Sequence, residues 1–311
     1  MLISPIGEAQ PMPPEVRAGI LVMAHGGSPA WNAAAIESVN PLGTTLPVRI
    51  AFGMAQPEPL QKAIHELETE GVTHIAVVGL FVSPKSFREQ IEYLLGLHPK
   101  PPSVYLHHPA HKDMSMMSHH DIEMIPGAMA PSPIQKTAKV LLNQEGLYDS
   151  GEIGQIIVER VASLSTSPEM ESVLILAHGE GDNTLNDQWF SHVDDLATQV
   201  RQFGPFKNVQ VETLREDWEN ERAHAEKRIR NYVQKESDGG NNVLVIPFRL
   251  FGFGPYATVL EGLEYLSNGQ ALLPHPIITA WIKGQAQSCF ERMGIYDSIK
   301  TATGAASNPI P

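Results

Sequence analysis

Gly19-Ile20-Leu21-Val22-Met23-Ala24-His25-Gly26 and Val173-Leu174-Ile175-Leu176-Ala177-His178-Gly179 carry the same pattern twice, an unbroken apolar run ending in Ala-His-Gly. A short stretch that is apolar at every position and closed by glycine reads as a strand buried on both faces, as in a parallel sheet. Downstream of each, the layout repeats. Val48–Phe52 and Val209–Thr213 read as second strands, and His74–Val82 and Val243–Leu250 as third strands. Between them Leu60, Ala63, Ile64 and Leu67, and in the other half Ile229, Tyr232 and Val233, fall at helical spacing. Ile91-Glu92-Tyr93-Leu94 is echoed by Leu263-Glu264-Tyr265-Leu266, and Leu97-His98-Pro99 by Pro274-His275-Pro276. Five echoes in one order indicate a duplicated β/α unit.

Alternating strands and helices predict an α/β protein of two tandem domains, each a parallel sheet with helices on both faces. The expected divisions are a flexible leader at 1–17, an N-terminal domain at 18–106 and an insertion or linker at 107–133. A C-terminal domain at 134–300 comes next, with its core from about 170 and a helix near Ile134 to Leu142, and then a frayed tail at 301–311. Open parallel sheets place their sites beyond the carboxyl ends of the strands. His25 and His178 occupy such ends, one per half, and are the leading functional candidates.

Composition narrows the classes of partner. The 311 residues suffice for two domains, and 42% hydrophobic against 18% charged residues supplies a sizeable core. A formal net charge of -13 argues against nucleic acid as a partner. The single cysteine, Cys289, excludes a disulfide framework and a thiolate metal site within one chain, whereas 13 histidines offer nitrogen ligands. No apolar run approaches the length of a membrane span. Met1 to Arg17 has four prolines and neither a basic nor an apolar signal region, so a cytoplasmic protein is expected, an exported mature form being also compatible. Two fused halves can do what a symmetric dimer does, which is compatible with a monomer.

Residues 107–121 stand apart, with five histidines (His107, His108, His111, His119 and His120) and three methionines in fifteen positions. Imidazole and thioether with Asp113 and Asp121 suit an adaptable site for Co²⁺, Ni²⁺ or Cu⁺, and the spacing does not match tetrahedral zinc. A polar loop that is merely rich in histidine is the competing interpretation.

Taken in order, the Ala-His-Gly-Gly-Ser start, Ala51-Phe52-Gly53, Gly79-Leu80-Phe81-Val82-Ser83 and Ile91 to Gly96 resemble the class II chelatases. The similarity is to the CbiX-type sirohydrochlorin cobaltochelatases and ferrochelatases, over most of 17–115 and more weakly over 170–288. The resemblance implies flavodoxin-like halves and a lyase that inserts Co²⁺ or Fe²⁺ into sirohydrochlorin or a related tetrapyrrole. It implies no tightly bound cofactor, the metal being substrate. Histidine suits such chemistry, since neutral imidazole both ligates borderline cations and accepts protons near neutral pH.

In the family a His after the first strand is joined by an acid after the second and often by a His after the third. Here His25 and His178 match the leading His as metal ligands or proton acceptors. The acid position falls near Met54 in the first half and at Glu216 or Asp217 in the second, Glu216 being the expected catalytic assistant. Both acids also suit a helix start, where the dipole favours negative charge. The later His position is occupied by Lys85 or Ser86 in one half and by Phe251 to Tyr256 in the other. Tyr256 is a candidate to line a flat aromatic ligand, and Trp31 and Trp189 are core aromatics or cleft walls. His98 and His275 read as duplicated structural residues. A metal- or tetrapyrrole-binding protein that does not catalyse insertion, resembling a metallochaperone, is the alternative function.

Overall fold

The computed structural model describes residues 16–103 and 130–295. The expected leader up to residue 15, the tail after 295 and all five histidines of the His/Met segment lie outside the described residues.

The first run forms strand β1, Ala18–Ala24. It is one of the two inner strands of a parallel sheet whose order is β2-β1-β3-β4, with β2 at Val48–Phe52, β3 at His74–Leu80 and β4 at Lys139–Leu142. The second run forms β5, Glu171–Ala177, between β6 at Asn208–Thr213 and β7 at Asn242–Phe248, again all parallel. The uninterrupted apolarity of β1 has a direct cause. Ile20, Val22 and Ala24 face one core while Leu21 and Met23 face another. β5 repeats this with Val173, Ile175 and Ala177 on one side and Leu174 and Leu176 on the other. Side chains alternate across a strand, so a strand covered on both faces has no polar register.

Helices supply those covers. In the first half α1, Pro29–Val39, lies on one face, and α2, Pro57–Thr69, and α3, Arg88–Leu94, lie on the other. Leu60, Ala63, Ile64 and Leu67 of α2 are all buried, as their spacing predicts. In the second half α4, Ile153–Ala162, and α5, Asn183–Phe203, lie opposite α6, Glu219–Asp238, and the short α7, Tyr256–Val259. One core, drawing on β1 and β5 together, runs through both halves.

Three expectations about organisation are corrected. Residues 134–142 do not form a helix: Lys139–Leu142 is strand β4, paired along β3 in the first sheet. The final helix α8, Pro276–Arg292, also returns to the first half and packs on β3, β1 and α1. Its Ile278, Trp281, Ile282 and Phe290 are buried, and Thr279 Oγ1 donates to the Ser38 carbonyl at 2.7 Å. A C-terminal domain of 134–300 therefore gives up both ends to the first unit, whose sheet needs an edge strand and a second helix on the α1 face. Finally, Leu263–Leu266 is not a counterpart of α3. Leu266 forms a parallel bridge to Leu244 of β7, the lateral position that β4 holds beside β3.

The two His-Pro echoes part in the same way. His275 caps α8, its Nδ1 accepting from the Ile277 N–H at 3.2 Å and its Nε2 donating to Glu159 at 2.9 Å. His98 follows α3 and is exposed. His275 is thus a structural cap, and His98 is not its equivalent, meeting the Lys100 carbonyl through Nδ1 at 2.9 Å.

Candidate functional site

In each half the three central strands stop together. Ala24 is in register with Phe52 and Leu80, and Ala177 with Thr213 and Phe248. The next residue after each alanine is the histidine. Both chains then turn sharply, with Gly26 at φ +80° and Gly179 at φ +82°, a left-handed conformation that explains why glycine follows each histidine. In both turns imidazole Nδ1 meets the carbonyl of that glycine, at 2.6 Å for His25 and 2.9 Å for His178. An asparagine in the next helix ties each loop: Asn32 Oδ1 accepts from Gly27 N–H at 2.9 Å, and Asn186 Oδ1 from Glu180 N–H at 3.1 Å. Ser28 and Asp182 cap the two helices through their side chains.

His25 and His178 open into one cleft of about 330 Å³, built from the carboxyl ends of both sheets. Trp31, Met54, Phe81 and Phe87 form much of the first-half wall, and Trp189, Trp218 and Phe251 stand on the other side. Trp31 packs edge-on against Phe52, and Trp189 edge-on against Tyr148. Trp218 meets the His178 ring edge-on, with centroids 6.1 Å apart. Phe87 adopts φ +53°, a left-handed conformation that a non-glycine residue holds only where its surroundings impose it, and it tilts against the His25 ring at 6.3 Å.

The two imidazoles differ in their partners. At His25 the carbonyl of Gly26 can only accept, so Nδ1 carries a hydrogen and is engaged by the backbone. At His178 the second nitrogen is engaged as well, Nε2 lying 3.3 Å from Asp217 Oδ2. Two acceptors, one on each nitrogen, favour the imidazolium. Burial opposes that charge, but the Asp217 hydrogen bond, the Glu216 charge and the Gly179 carbonyl outweigh it and raise the His178 pKa.

Asp217, not Glu216, therefore touches the histidine. Glu216 lines the cleft but is paired with Arg249, whose Nη1 lies 3.3 Å from its Oε1. Arg249 in turn sits over the Tyr256 ring at 5.6 Å. The expectation that Tyr256 contacts a ligand is corrected here: it is 0% exposed and forms the floor beneath Arg249. Pro255 leads directly into α7, which turns the ring inward. Burial, with the nearby Glu216 charge, pushes the Tyr256 hydroxyl well above the usual phenol range against the pull of Arg249. No hydrogen bond of normal geometry joins that hydroxyl to Glu216.

At the third-strand position of the first half, Ser86 lines the cleft, while Lys85 Nζ donates to Gln188 Oε1 at 2.6 Å and joins the halves. Arg215, at φ +58°, holds the loop after His178 through the carbonyls of Glu180 and Gly181 and through Asn183. Sequence reasoning misses Trp218, Phe87 and Arg249, although all three come after strand ends, the same signal that selects the histidines. Among the described residues no three of His, Cys, Asp and Glu converge to enclose a metal ion. A cation at His25 would keep water or ligand nitrogens in its other positions.

Residues 19–120 match the family model CbiX. SirB from Bacillus subtilis with Fe³⁺ superposes with a TM-score of 0.58 at 15% identity, covering 93% of this chain and 98% of that one. A multi-domain protein from Deinococcus radiodurans, described as structurally similar to chelatases, gives a TM-score of 0.52 at 16% identity. That match covers 88% of this chain and 55% of that one. At these identities the likeness is one of fold. Compared by sequence with curated proteins, the chain has no match.

Proposed function

We propose, from the match of residues 19–120 to the CbiX family model within a chain of chelatase-like fold, that this protein is a metal-inserting lyase. The substrates in this reading are a divalent cation, Co²⁺ or Fe²⁺, and sirohydrochlorin or a related tetrapyrrole. One observation carries it: a single aromatic cleft holds both His25, engaged at Nδ1 by a backbone carbonyl, and a second histidine held by a carboxylate. The cation is substrate, and no resident cofactor is required.

Insertion replaces two pyrrole N–H bonds with bonds to the metal and releases two protons. His25 Nε2 takes the cation, replacing part of its water shell. The tryptophan and phenylalanine walls hold the flat macrocycle. His178, in its neutral fraction, accepts each pyrrole proton and regenerates by passing it to Asp217 and solvent. Asp217 keeps the ring oriented and offsets the imidazolium charge. Loss of free-macrocycle absorbance on adding Co²⁺ or Fe²⁺ tests the reading. Turnover is expected for the wild type, and a marked fall at limiting metal in both His25→Ala and His178→Ala. A wild type inert with every divalent metal would defeat it.

A carrier that binds without inserting is the second reading. It is favoured by the third-strand loops, which bring Ser86 and Arg249 to the cleft where further imidazoles would complete a ligand set. Calorimetry with Co²⁺ and Ni²⁺ separates the two, since a carrier retains tight metal binding in the absence of any turnover.

A further inference from the structure

We propose that Arg249 recognises one peripheral carboxylate of the macrocycle, and that Gly254 makes the space that holds its guanidinium at the cleft; this rests on reading the cleft as a tetrapyrrole site. Position is the first argument. Phe248 ends β7 in register with Ala177 of β5, so Arg249 and His178, the next residues, leave neighbouring strands at the same level. The backbone there is tied down, the Arg249 and Leu250 carbonyls accepting from the Leu272 and Leu273 N–H groups at 3.1 and 2.8 Å. The Arg249 side chain lines the cleft beside Glu216 and is 25% exposed.

The guanidinium is supported from two sides. It lies 5.6 Å from the centroid of the Tyr256 ring, which is fully buried and gives a rigid floor. Gly254, at φ +59°, gives the other support: a Cβ there would collide with Arg249 Nη1 and Cζ, so the guanidinium fills the place of a missing side chain. A guanidinium has five N–H donors, and Glu216 Oε1 meets it at Nη1, 3.3 Å away. That hold on one nitrogen leaves donors to grip a second carboxylate in fork geometry, which an ammonium does not match. The other acids of the lining are engaged elsewhere, Asp217 with His178 and Glu180 Oε2 with the Gly181 N–H at 3.2 Å. Sirohydrochlorin carries carboxylate arms around its ring. One arm at Arg249 sets the rotation of the ring between the two histidines, while the others extend into solvent.

The three tryptophans of the cleft, Trp31, Trp189 and Trp218, report binding without turnover. A metal-free porphyrin with carboxylate arms and its carboxamide counterpart would each be titrated into the intact protein while quenching of tryptophan fluorescence is followed. In Arg249→Gln the affinity for the carboxylate ring is expected to fall about tenfold, and that for the carboxamide ring to stay as in the wild type. Arg249→Lys is expected to restore only part of the loss, keeping the charge without the fork. Gly254→Ala, which retains the guanidinium but displaces it, is expected to match Arg249→Gln. Removing Arg249 alone leaves Glu216 without this partner, so the double variant Arg249→Gln, Glu216→Gln is compared with Glu216→Gln and is expected to show the same selective loss. Equal weakening of both rings would mark a structural role and overturn the proposal, as would undiminished affinity of Arg249→Gln for the carboxylate ring. Either result leaves the tetrapyrrole reading standing. Wild-type selectivity in Gly254→Ala overturns the role given to that glycine. A wild type that neither porphyrin quenches overturns the tetrapyrrole reading and the proposal together.

Discussion

The two halves build the same turn and then use it differently. Each ends a buried strand at alanine, places histidine next, bends through a left-handed glycine and ties the loop to an asparagine. The loop after the second strand sets them apart. The first half brings Met54 to the cleft and leaves His25 with one hydrogen bond, whereas the second brings Glu216, Asp217 and Trp218 around His178. The fold thus fixes where an imidazole stands, and the neighbouring loop decides whether a carboxylate holds it. In the function proposed above, divergence of that one loop would divide a matched pair of imidazoles into a metal acceptor and a proton acceptor.

Removing the two imidazoles breaks the comparison most severely. His178→Ala should lower kcat by about 10²–10⁴-fold, the usual worth of a positioned acid–base group, with little change in the metal KM. His25→Ala should act mainly on the metal, raising its KM with a smaller fall in kcat. Steady-state assays varying Co²⁺ at saturating macrocycle distinguish the two. Identical effects of the two substitutions on KM and kcat would show that the halves are functionally alike after all.

Asp217→Asn should cost less, about 10–100-fold in kcat, as expected of a group that orients another. It keeps the size of the side chain and removes the charge, so its mark is a pH–rate profile moved toward lower pH with the His178 pKa. Glu216→Gln should move that profile less, because Arg249 already offsets the Glu216 charge. Equal displacement by both substitutions would make the pair Asp217–His178 no more special than the general acidity of the wall.

Much of the fold and site is legible in the sequence because strand ends are marked by composition. β1 is apolar throughout and β5 is apolar from Val173 onward, and His-Gly marks their ends. The packing partners of the later elements leave no such mark. The span from Ile134 to Leu142 has apolar residues at helical spacing, yet its last four residues form a buried edge strand, since short apolar runs satisfy both patterns. The sequence of α8 does not show which sheet it covers. Tyr256 escapes sequence reasoning because a Gly-Phe-Gly-Pro loop announces a turn but not its direction. Trp218 and Phe87 reach the cleft by backbone geometry, a helix start in one case and a left-handed residue in the other.

The matching glycines give a finer test of how alike the turns are. A Cβ on Gly179 would lie 2.8 Å from Thr213 Cβ and 3.2 Å from the Arg215 nitrogen, both held by the sheet and its loop. On Gly26 the nearest atom would be Phe52 Cβ at 3.2 Å. Both substitutions incur the strain of a left-handed alanine, and only the second-half turn adds a hard clash. Gly179→Ala should therefore destabilise by about 2–4 kcal/mol and Gly26→Ala by about 1–2 kcal/mol in urea unfolding. Reversal of that order would mean that the second-half loop is the more compliant one.

The smallest effect is electrostatic and reads the carboxylate that only the second half places on its histidine, without touching the backbone. The folded-state pKa of His178 is raised above its unfolded value, so protonation favours the folded chain. That contribution is fully present below the unfolded histidine pKa of about 6.5 and is lost as pH rises through the higher folded value. Stability should thus decline from about pH 6.5 upward by the share that His178 supplies, and Asp217→Asn should flatten the decline. His178→Gln should flatten it as well, whereas Glu216→Gln should flatten it less than Asp217→Asn does, because Arg249 already offsets the Glu216 charge. Urea midpoints collected from pH 5.5 to pH 9 on the four proteins make the measurement, taken as differences from the wild type so that other titrating groups cancel. If Glu216→Gln flattens the slope as much as Asp217→Asn does, the hydrogen-bonded carboxylate is not what holds the His178 charge.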